Sequence, residues 1–285
     1  MKARIVLTLI AGFVLTGCGG SAAGTATGKT HVIAAFYPLA FAAAEIGGDT
    51  VEVRNVTPPG VEPHDLELSG RELETIGDAA LVLYLRGFQP ALDDAIASVS
   101  GAGVDLLDSV ATRPGDDKIG VDPHVWLDPV RFAQIAAQIG VELGRSADAA
   151  PLQARLRELD AEFQRGLSRC ARDEIVTSHA AFGYLAERYG LKEVAITGIS
   201  PEAEPTPRDL EAVVRQVRET GATTIFFETL ISPRLARTVA REVGAETAVL
   251  NPLEGLTDDE VAAGEDYVSV MRENLAALRE ALGCR

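Results

Sequence analysis

The chain has 285 residues, of which 47% are hydrophobic, and its formal net charge at pH 7 is −16. A surface this acidic repels nucleic acid, so we expect no nucleic-acid partner. Beyond the amino-terminal segment, no apolar run approaches the roughly 20 residues that a membrane-spanning helix needs.

The amino-terminal segment has the pattern of a bacterial export signal. Lys2 and Arg4 give it a positive start, and the apolar run over residues 5–16 is too short to span a membrane. The run ends in the sequence LTGC, which resembles the lipobox of bacterial lipoproteins. We therefore predict that the signal is removed, that Cys18 carries a lipid, and that the mature chain is anchored on the extracytoplasmic side of the cell membrane.

Two sets of strands are predicted from the pattern of hydrophobic residues. Short β-branched or apolar runs alternate with longer amphipathic stretches, which favours βαβ units and mostly parallel sheets. The predicted strands are 31–36, 51–56, 80–85 and 104–107 in the first set, and 174–177, 193–197, 223–227 and 247–250 in the second.

A helical stripe separates the two sets. Leu152, Leu156, Leu159, Phe163 and Leu167 recur at the spacing of one helix face. A helix over 151–170 would be about 30 Å long, enough to connect two domains stiffly. The predicted fold class is α/β, with two βα domains of mostly parallel sheets joined by one long rigid backbone helix. The predicted divisions are a signal peptide over 1–17, a lipidated flexible tether over 18–29, an amino-terminal domain over 30–146, the linking helix over 147–171 and a carboxyl-terminal domain over 172–285.

Three of the four histidines share a position in this scheme. His64, His124 and His179 each lie beyond the carboxyl end of a predicted strand, whereas His31 opens the first strand and receives no role. Ligands of open parallel sheets bind outside the carboxyl ends of the strands. The residues alone therefore indicate a candidate metal site and no more.

The segments around these histidines resemble a known family. PHDLELS, DPHVWLDP and TSHAAFGYLAERYGL are similar to the three ligand segments of the zinc/manganese solute-binding proteins of bacterial ABC importers, the ZnuA/TroA type. The likeness extends over nearly the whole mature chain. It implies two βα domains joined by a rigid helix, with metal held in the cleft between them, and a cognate permease.

The resemblance also implies a ligand set. His64 and His124 would be ligands from the first domain and His179 the first ligand from the second. The family's usual fourth ligand, an aspartate after the last strand, is replaced here by Asn251, which offers only a neutral carbonyl oxygen. Water or the Asn251 oxygen would complete the site, and the alternatives for that position are Glu228, Glu202, Glu204 and Asp258.

Three imidazoles favour zinc as the metal. Zinc is commonly tetrahedral with nitrogen ligands, manganese prefers oxygen-rich sites, and copper(II) is a less favoured alternative. We expect a monomer that captures Zn(II) and delivers it to an ABC-type permease. The alternatives are a Mn(II)-binding homologue and a metal-binding surface adhesin.

A zinc hydrolase is the main rival, because three histidines with an open fourth position also describe catalytic zinc. No HExxH motif is present, and the resemblance is to a binding protein, so we do not expect an enzyme.

Two cysteines remain once Cys18 is lipidated. Outside the cytoplasm, Cys170 and Cys284 can close a disulfide, and we favour that bond over two buried free thiols.

Overall fold

A computed structural model of the protein describes residues 28–99, 103–115, 119–201 and 206–285. The predicted signal peptide, Cys18 and nearly all of the tether lie outside the described residues, as do Glu202 and Glu204. In the described ranges, no helix has both the length and the apolar composition needed to cross a membrane.

Four strands of the first half form one parallel sheet with the order β2-β1-β3-β4. The bounds are β1 Thr30–Ala34, β2 Val51–Asn55, β3 Leu81–Tyr84 and β4 Gly103–Asp105. A second parallel sheet repeats this arrangement with the order β6-β5-β7-β8. Its strands are β5 Glu174–Thr177, β6 Lys192–Ala195, β7 Thr224–Phe227 and β8 Glu246–Val249. All the predicted strands are present, and the α/β fold class is confirmed.

Helices connect these strands, as parallel pairing requires. Their bounds are α1 Tyr37–Gly47, α2 Gly70–Gly77, α3 Pro90–Ser98, α4 Pro129–Glu142, α5 Ala150–Gly166, α6 Gly183–Tyr189, α7 Pro207–Thr220, α8 Arg234–Val243, α9 Asp258–Ala263 and α10 Tyr267–Leu282. Local sequence explains several of the starts. Ser69, for example, caps α2 in a reciprocal capping box with Glu72.

The predicted linking helix corresponds to α5, the last helix before the second sheet. It buries Leu152, Leu156, Leu159 and Phe163, which are members of the predicted stripe. It ends at Gly166, earlier than the predicted end, because the following chain turns to meet the end of α10. Both turn amides, those of Ala171 and Arg172, donate to the carbonyl oxygen of Leu282.

One hydrophobic core runs through both halves of the molecule. It contains Phe36 and Trp126 from the first half, Phe163 from α5, and Tyr184 and Tyr267 from the second half. A separate, smaller core around Val239 lies in the second half only. The two halves are therefore packed together as well as linked by the chain.

A disulfide in the structure joins Cys170, just after α5, to Cys284 at the end of the chain. Both residues pack against the main core.

The strand order places a crevice in each sheet. In the first sheet, β2 pairs on one side of β1 and β3 pairs on the other side. In the second sheet, β6 and β7 flank β5 in the same way. The carboxyl ends of β1 and β3, and those of β5 and β7, therefore border the point where ligands bind in open α/β sheets.

Candidate metal site

The structure brings the three predicted histidines together between the two halves. His64 lies in the loop between β2 and α2, and His124 precedes a short 3₁₀ turn, Val125–Leu127, that leads into α4. His179 follows β5 by two residues. All three rings are buried, and their centroids are 5.3–6.0 Å apart.

A fourth residue, Glu254, completes the cluster. One ligand atom from each of the three histidines and from Glu254 lies within 4.8 Å of the others. The Nε2 atoms all face the same carboxylate oxygen, Glu254 Oε1, at 3.5 Å for His64, 3.2 Å for His124 and 3.1 Å for His179. Three nitrogen donors and one oxygen donor therefore converge on one point.

Two further carboxylates orient the rings. Asp122 Oδ1 lies 2.9 Å from His124 Nδ1, and Glu228 Oε1 lies 2.8 Å from His179 Nδ1. Glu228 follows β7 directly and His179 follows β5, so this pair sits at the crevice of the second sheet. Each carboxylate fixes one ring nitrogen and leaves Nε2 directed at the centre, the usual second contact of a metal-binding histidine. His64 instead packs its ring edge-on against Phe88, with centroids 4.6 Å apart.

The electrostatics of the cluster favour positive charge at its centre. Burial would raise the pKa of Glu254, but His179 and His64 hold it well below the usual glutamate value. Burial would lower the pKa of His179, but Glu228 and Glu254 hold it well above the usual histidine value. The pKa of His124 is also raised, by its hydrogen bonds with Asp122 and Glu254 against burial. Burial lowers the pKa of His64, the ring that faces only one carboxylate.

Some polar atoms of the cluster have no hydrogen-bond partner among the described residues. They are His64 Nε2, Glu254 Oε2 and Glu228 Oε2. Buried polar groups are normally paired, so this shortfall at a cluster of ligand atoms is what a dication would satisfy.

The side chain of Asn251, the predicted fourth ligand, makes two hydrogen bonds within the protein. Its Oδ1 accepts a hydrogen bond from the amide of Leu253 at 2.8 Å, and its Nδ2 donates to Glu260 Oε1 at 2.9 Å. The carboxamide is thus committed to its own loop and to α9, and Glu254 stands where a fourth ligand was expected. Asp258 is exposed at the start of α9 and does not enter the cluster.

Glu254 is the residue that sequence reasoning missed. It lies three residues beyond Asn251 in the run NPLEGL, where it is a lone carboxylate in a wholly buried segment. A single acidic residue inside an apolar run was the available signal. Of the alternatives named for the fourth position, Glu228 is in the site, where it contacts His179 rather than the centre.

A family model described as the periplasmic component A of the zinc-uptake complex, ZnuA, matches residues 32–281. The chain belongs to the ZnuA family. That membership confirms the resemblance read from the histidine segments, and the structures of relatives agree with the two-part architecture described above.

Relatives in this family carry zinc in their names. The zinc-binding lipoprotein AdcA of Streptococcus pneumoniae is 35% identical over 307 residues, covering 98% of this chain and 60% of AdcA. The chain therefore spans about three fifths of that relative. The Zn(II)-bound ZnuA-like domain of AdcA superposes with a TM-score of 0.77 at 34% identity and covers 90% of this chain and 99% of the domain.

Two more similar proteins have different descriptions, one as a zinc uptake protein and one as an adhesin. The high-affinity zinc uptake system protein ZnuA of Bacillus subtilis is 31% identical over 299 residues, which cover 94% of each chain. The laminin-binding protein Lmb of Streptococcus agalactiae, described as an adhesin with metal-transporting activity, gives a TM-score of 0.80 at 30% identity. That match covers 89% of this chain and 99% of Lmb.

Proposed function

We propose that the protein is an extracytoplasmic solute-binding protein that captures one Zn(II) ion and delivers it to an ABC-type permease. The observation that carries the proposal is the convergence of His64, His124, His179 and Glu254 within 4.8 Å in a buried site between the two halves. In this proposal, these four residues are the ligands.

The donor set favours zinc over the alternatives. Three imidazole nitrogens and one carboxylate oxygen match a tetrahedral Zn(II) shell, with bonds of about 2.0–2.2 Å. Mn(II) prefers more oxygen donors. Cu(II) binds imidazole strongly but prefers tetragonal geometry, so it would be a competitor in vitro rather than the cargo. The zinc in the names of AdcA and ZnuA supports the same choice.

Four protein donors also argue against catalysis. A catalytic zinc keeps one position open for water, whereas a structural zinc site is filled by four protein ligands. All four candidate ligands are buried, and with four protein donors no coordination position is left for a catalytic water. We therefore propose a binding protein that is not a hydrolase.

Location and partners follow from the sequence and the relatives. The LTGC sequence and the lipoprotein AdcA support a lipid anchor on Cys18, with the folded part held outside the cell membrane. We propose that this folded part is a monomer. The permease would be the partner that accepts the ion.

Competitive zinc titration of the purified protein tests the proposed site. Replacing His64, His124, His179 or Glu254 singly by alanine should weaken zinc binding by about 100-fold or more, because each change removes a ligand from a site with four. His31→Ala is the matched control, since that side chain is 70% exposed and lies outside the cluster. Wild-type affinity in two of the three ligand-histidine variants would overturn the assignment.

Adhesion is a second candidate function, favoured by the description of Lmb as bifunctional. If the chain shares that property, the zinc-loaded protein should bind immobilised laminin in a saturable way, and Glu254→Ala protein should show whether the metal is needed. No saturable binding by the zinc-loaded wild type would remove this candidate and leave metal capture untouched.

A further inference from the structure

The loop that follows β8 presents Glu254 to the histidines. Residues Asn251 to Leu256 are all buried, so contacts with the surrounding protein restrict the conformation of the loop. Within it, Leu253 has a φ of +57°, and it is the only described residue other than glycine with a positive φ. This left-handed conformation is unfavourable for a leucine, because its Cβ approaches the backbone.

The position of Leu253 explains why the strain is tolerated there. Its side chain is fully buried in the main core, which glycine could not fill. The left-handed turn immediately precedes Glu254, so it sets the direction in which that side chain leaves the backbone. Strained residues of this kind persist where the surrounding structure over-determines them.

Asn251 supplies the restraint at the centre of the turn. Its Oδ1 accepts the amide hydrogen of Leu253 at 2.8 Å, which is an Asx turn closed across Pro252. Its Nδ2 is fixed by Glu260 Oε1 at 2.9 Å, so the carboxamide cannot rotate away. The side-chain oxygen of Asn251 is therefore fixed in the position from which it accepts the hydrogen bond of the Leu253 amide.

The backbone around Asn251 is anchored as well. Asn274, buried in α10, accepts from the Asn251 amide at 2.8 Å and donates to the Asn251 carbonyl at 2.7 Å. On the other side, the indole of Trp126 donates to the carbonyl of Pro252 at 2.8 Å. These bonds fix the first and middle residues of the Asx turn.

We propose that Asn251 is a positioning residue for the metal site: its carboxamide holds Leu253 in the left-handed conformation and so aims Glu254 at the three histidines. The inference rests on the proposed function, because it treats Glu254 as a ligand. It gives Asn251 a role in metal affinity without any bond to the ion.

Two substitutions that differ by one oxygen atom test this role. Asn251→Ala removes the acceptor for the Leu253 amide, whereas Asn251→Ser keeps a hydroxyl oxygen that can accept it from the same backbone position. Asn251→Asp is avoided because a new carboxylate there could bind the metal itself. Val239→Ala, in the separate smaller core, serves as a control for lost stability alone.

The readouts are zinc affinity by competition and the visible absorption of Co(II) bound in place of zinc. We expect Asn251→Ala to bind zinc about 10–100-fold more weakly, the usual effect of losing a group that orients a ligand. Its Co(II) spectrum should move toward that of Glu254→Ala. Asn251→Ser should bind more tightly than Asn251→Ala and return the spectrum toward the wild-type form, and Val239→Ala should keep the wild-type spectrum.

The outcomes separate this role from the proposed function. A wild-type protein that binds neither metal would overturn the function itself. A wild-type protein that binds, with Asn251→Ala unchanged in affinity and spectrum, would overturn only the positioning role. Equal losses in Asn251→Ala and Asn251→Ser, or the same spectral change in Val239→Ala, would also overturn it.

Discussion

At the scale of single residues, the protonation state of the histidine cluster determines how many protons a binding zinc ion must displace. His179 has a pKa well above the usual histidine value of about 6.5, and the pKa of His124 is also raised. These shifts favour the protonated form of both rings in the metal-free protein, where His179 faces Glu228 and Glu254. Zinc binds only unprotonated imidazole, so the ion must displace these protons.

Zinc binding should release protons, in a number set by how far the histidines with raised pKa values are protonated before the ion arrives. Calorimetric titrations in buffers with different ionisation enthalpies measure this number. Affinity should rise as pH increases through the raised folded-state pKa values of His124 and His179. The metal-free fold should show the opposite trend, because a raised histidine pKa contributes stability that is lost as pH rises through it. Zinc binding with no proton release at pH 7 would contradict this description of the cluster.

The residues of the site differ in how well they could be predicted from the sequence. The histidines could be predicted, because each follows a strand and the carboxyl ends of parallel strands meet at one edge. Glu254 was harder to predict: a lone carboxylate in an apolar run marks it as unusual, but the direction of its side chain depends on the left-handed backbone at Leu253. Asn251 follows the last strand, where the resemblance placed a ligand, and in the structure its side chain closes the turn.

At the scale of secondary-structure elements, hydrophobic periodicity predicted most of the fold. The eight strands and the buried face of α5 were visible in the sequence because period and burial are local properties of the chain. The end of α5 at Gly166 was not, since it depends on hydrogen bonds to α10, more than a hundred residues away.

The buried face of α5 also gives a stability prediction. Phe163 is fully buried in the main core, so Phe163→Ala should lower the free energy of unfolding by about 3–5 kcal/mol. Val141→Ala on the adjacent helix α4 is the control, because Val141 is 57% exposed and its truncation should cost about 0.5 kcal/mol or less. Chemical denaturation measures both, and an unchanged midpoint for Phe163→Ala would mean that α5 does not hold the core together.

At the scale of the whole molecule, the two halves share one core, and a disulfide links the segment after α5 to the segment after α10. The Cys170–Cys284 disulfide closes a loop with a sequence separation of 114 residues, and neither cysteine belongs to the group of four metal-ligand candidates. A cross-link over so long a loop stabilises the fold mainly by restricting the unfolded chain.

The double substitution Cys170→Ser and Cys284→Ser should lower stability by about 2–4 kcal/mol while leaving zinc affinity unchanged. Chemical denaturation measures the loss of stability, and zinc titration of the same preparations measures the affinity. A thiol assay on the unreduced, denatured mature protein should find neither cysteine free. Two free thiols, or equal stability with and without the pair, would show that the bond is not formed.

Zinc K-edge X-ray absorption of the purified, zinc-loaded protein tests the central claim most directly. Three imidazole nitrogens and one carboxylate oxygen should appear in a four-coordinate shell at about 2.0–2.2 Å, and the imidazole signal should fall in His124→Ala and His179→Ala. A shell dominated by six oxygen ligands, or a spectrum that those variants leave unchanged, would contradict the site described here.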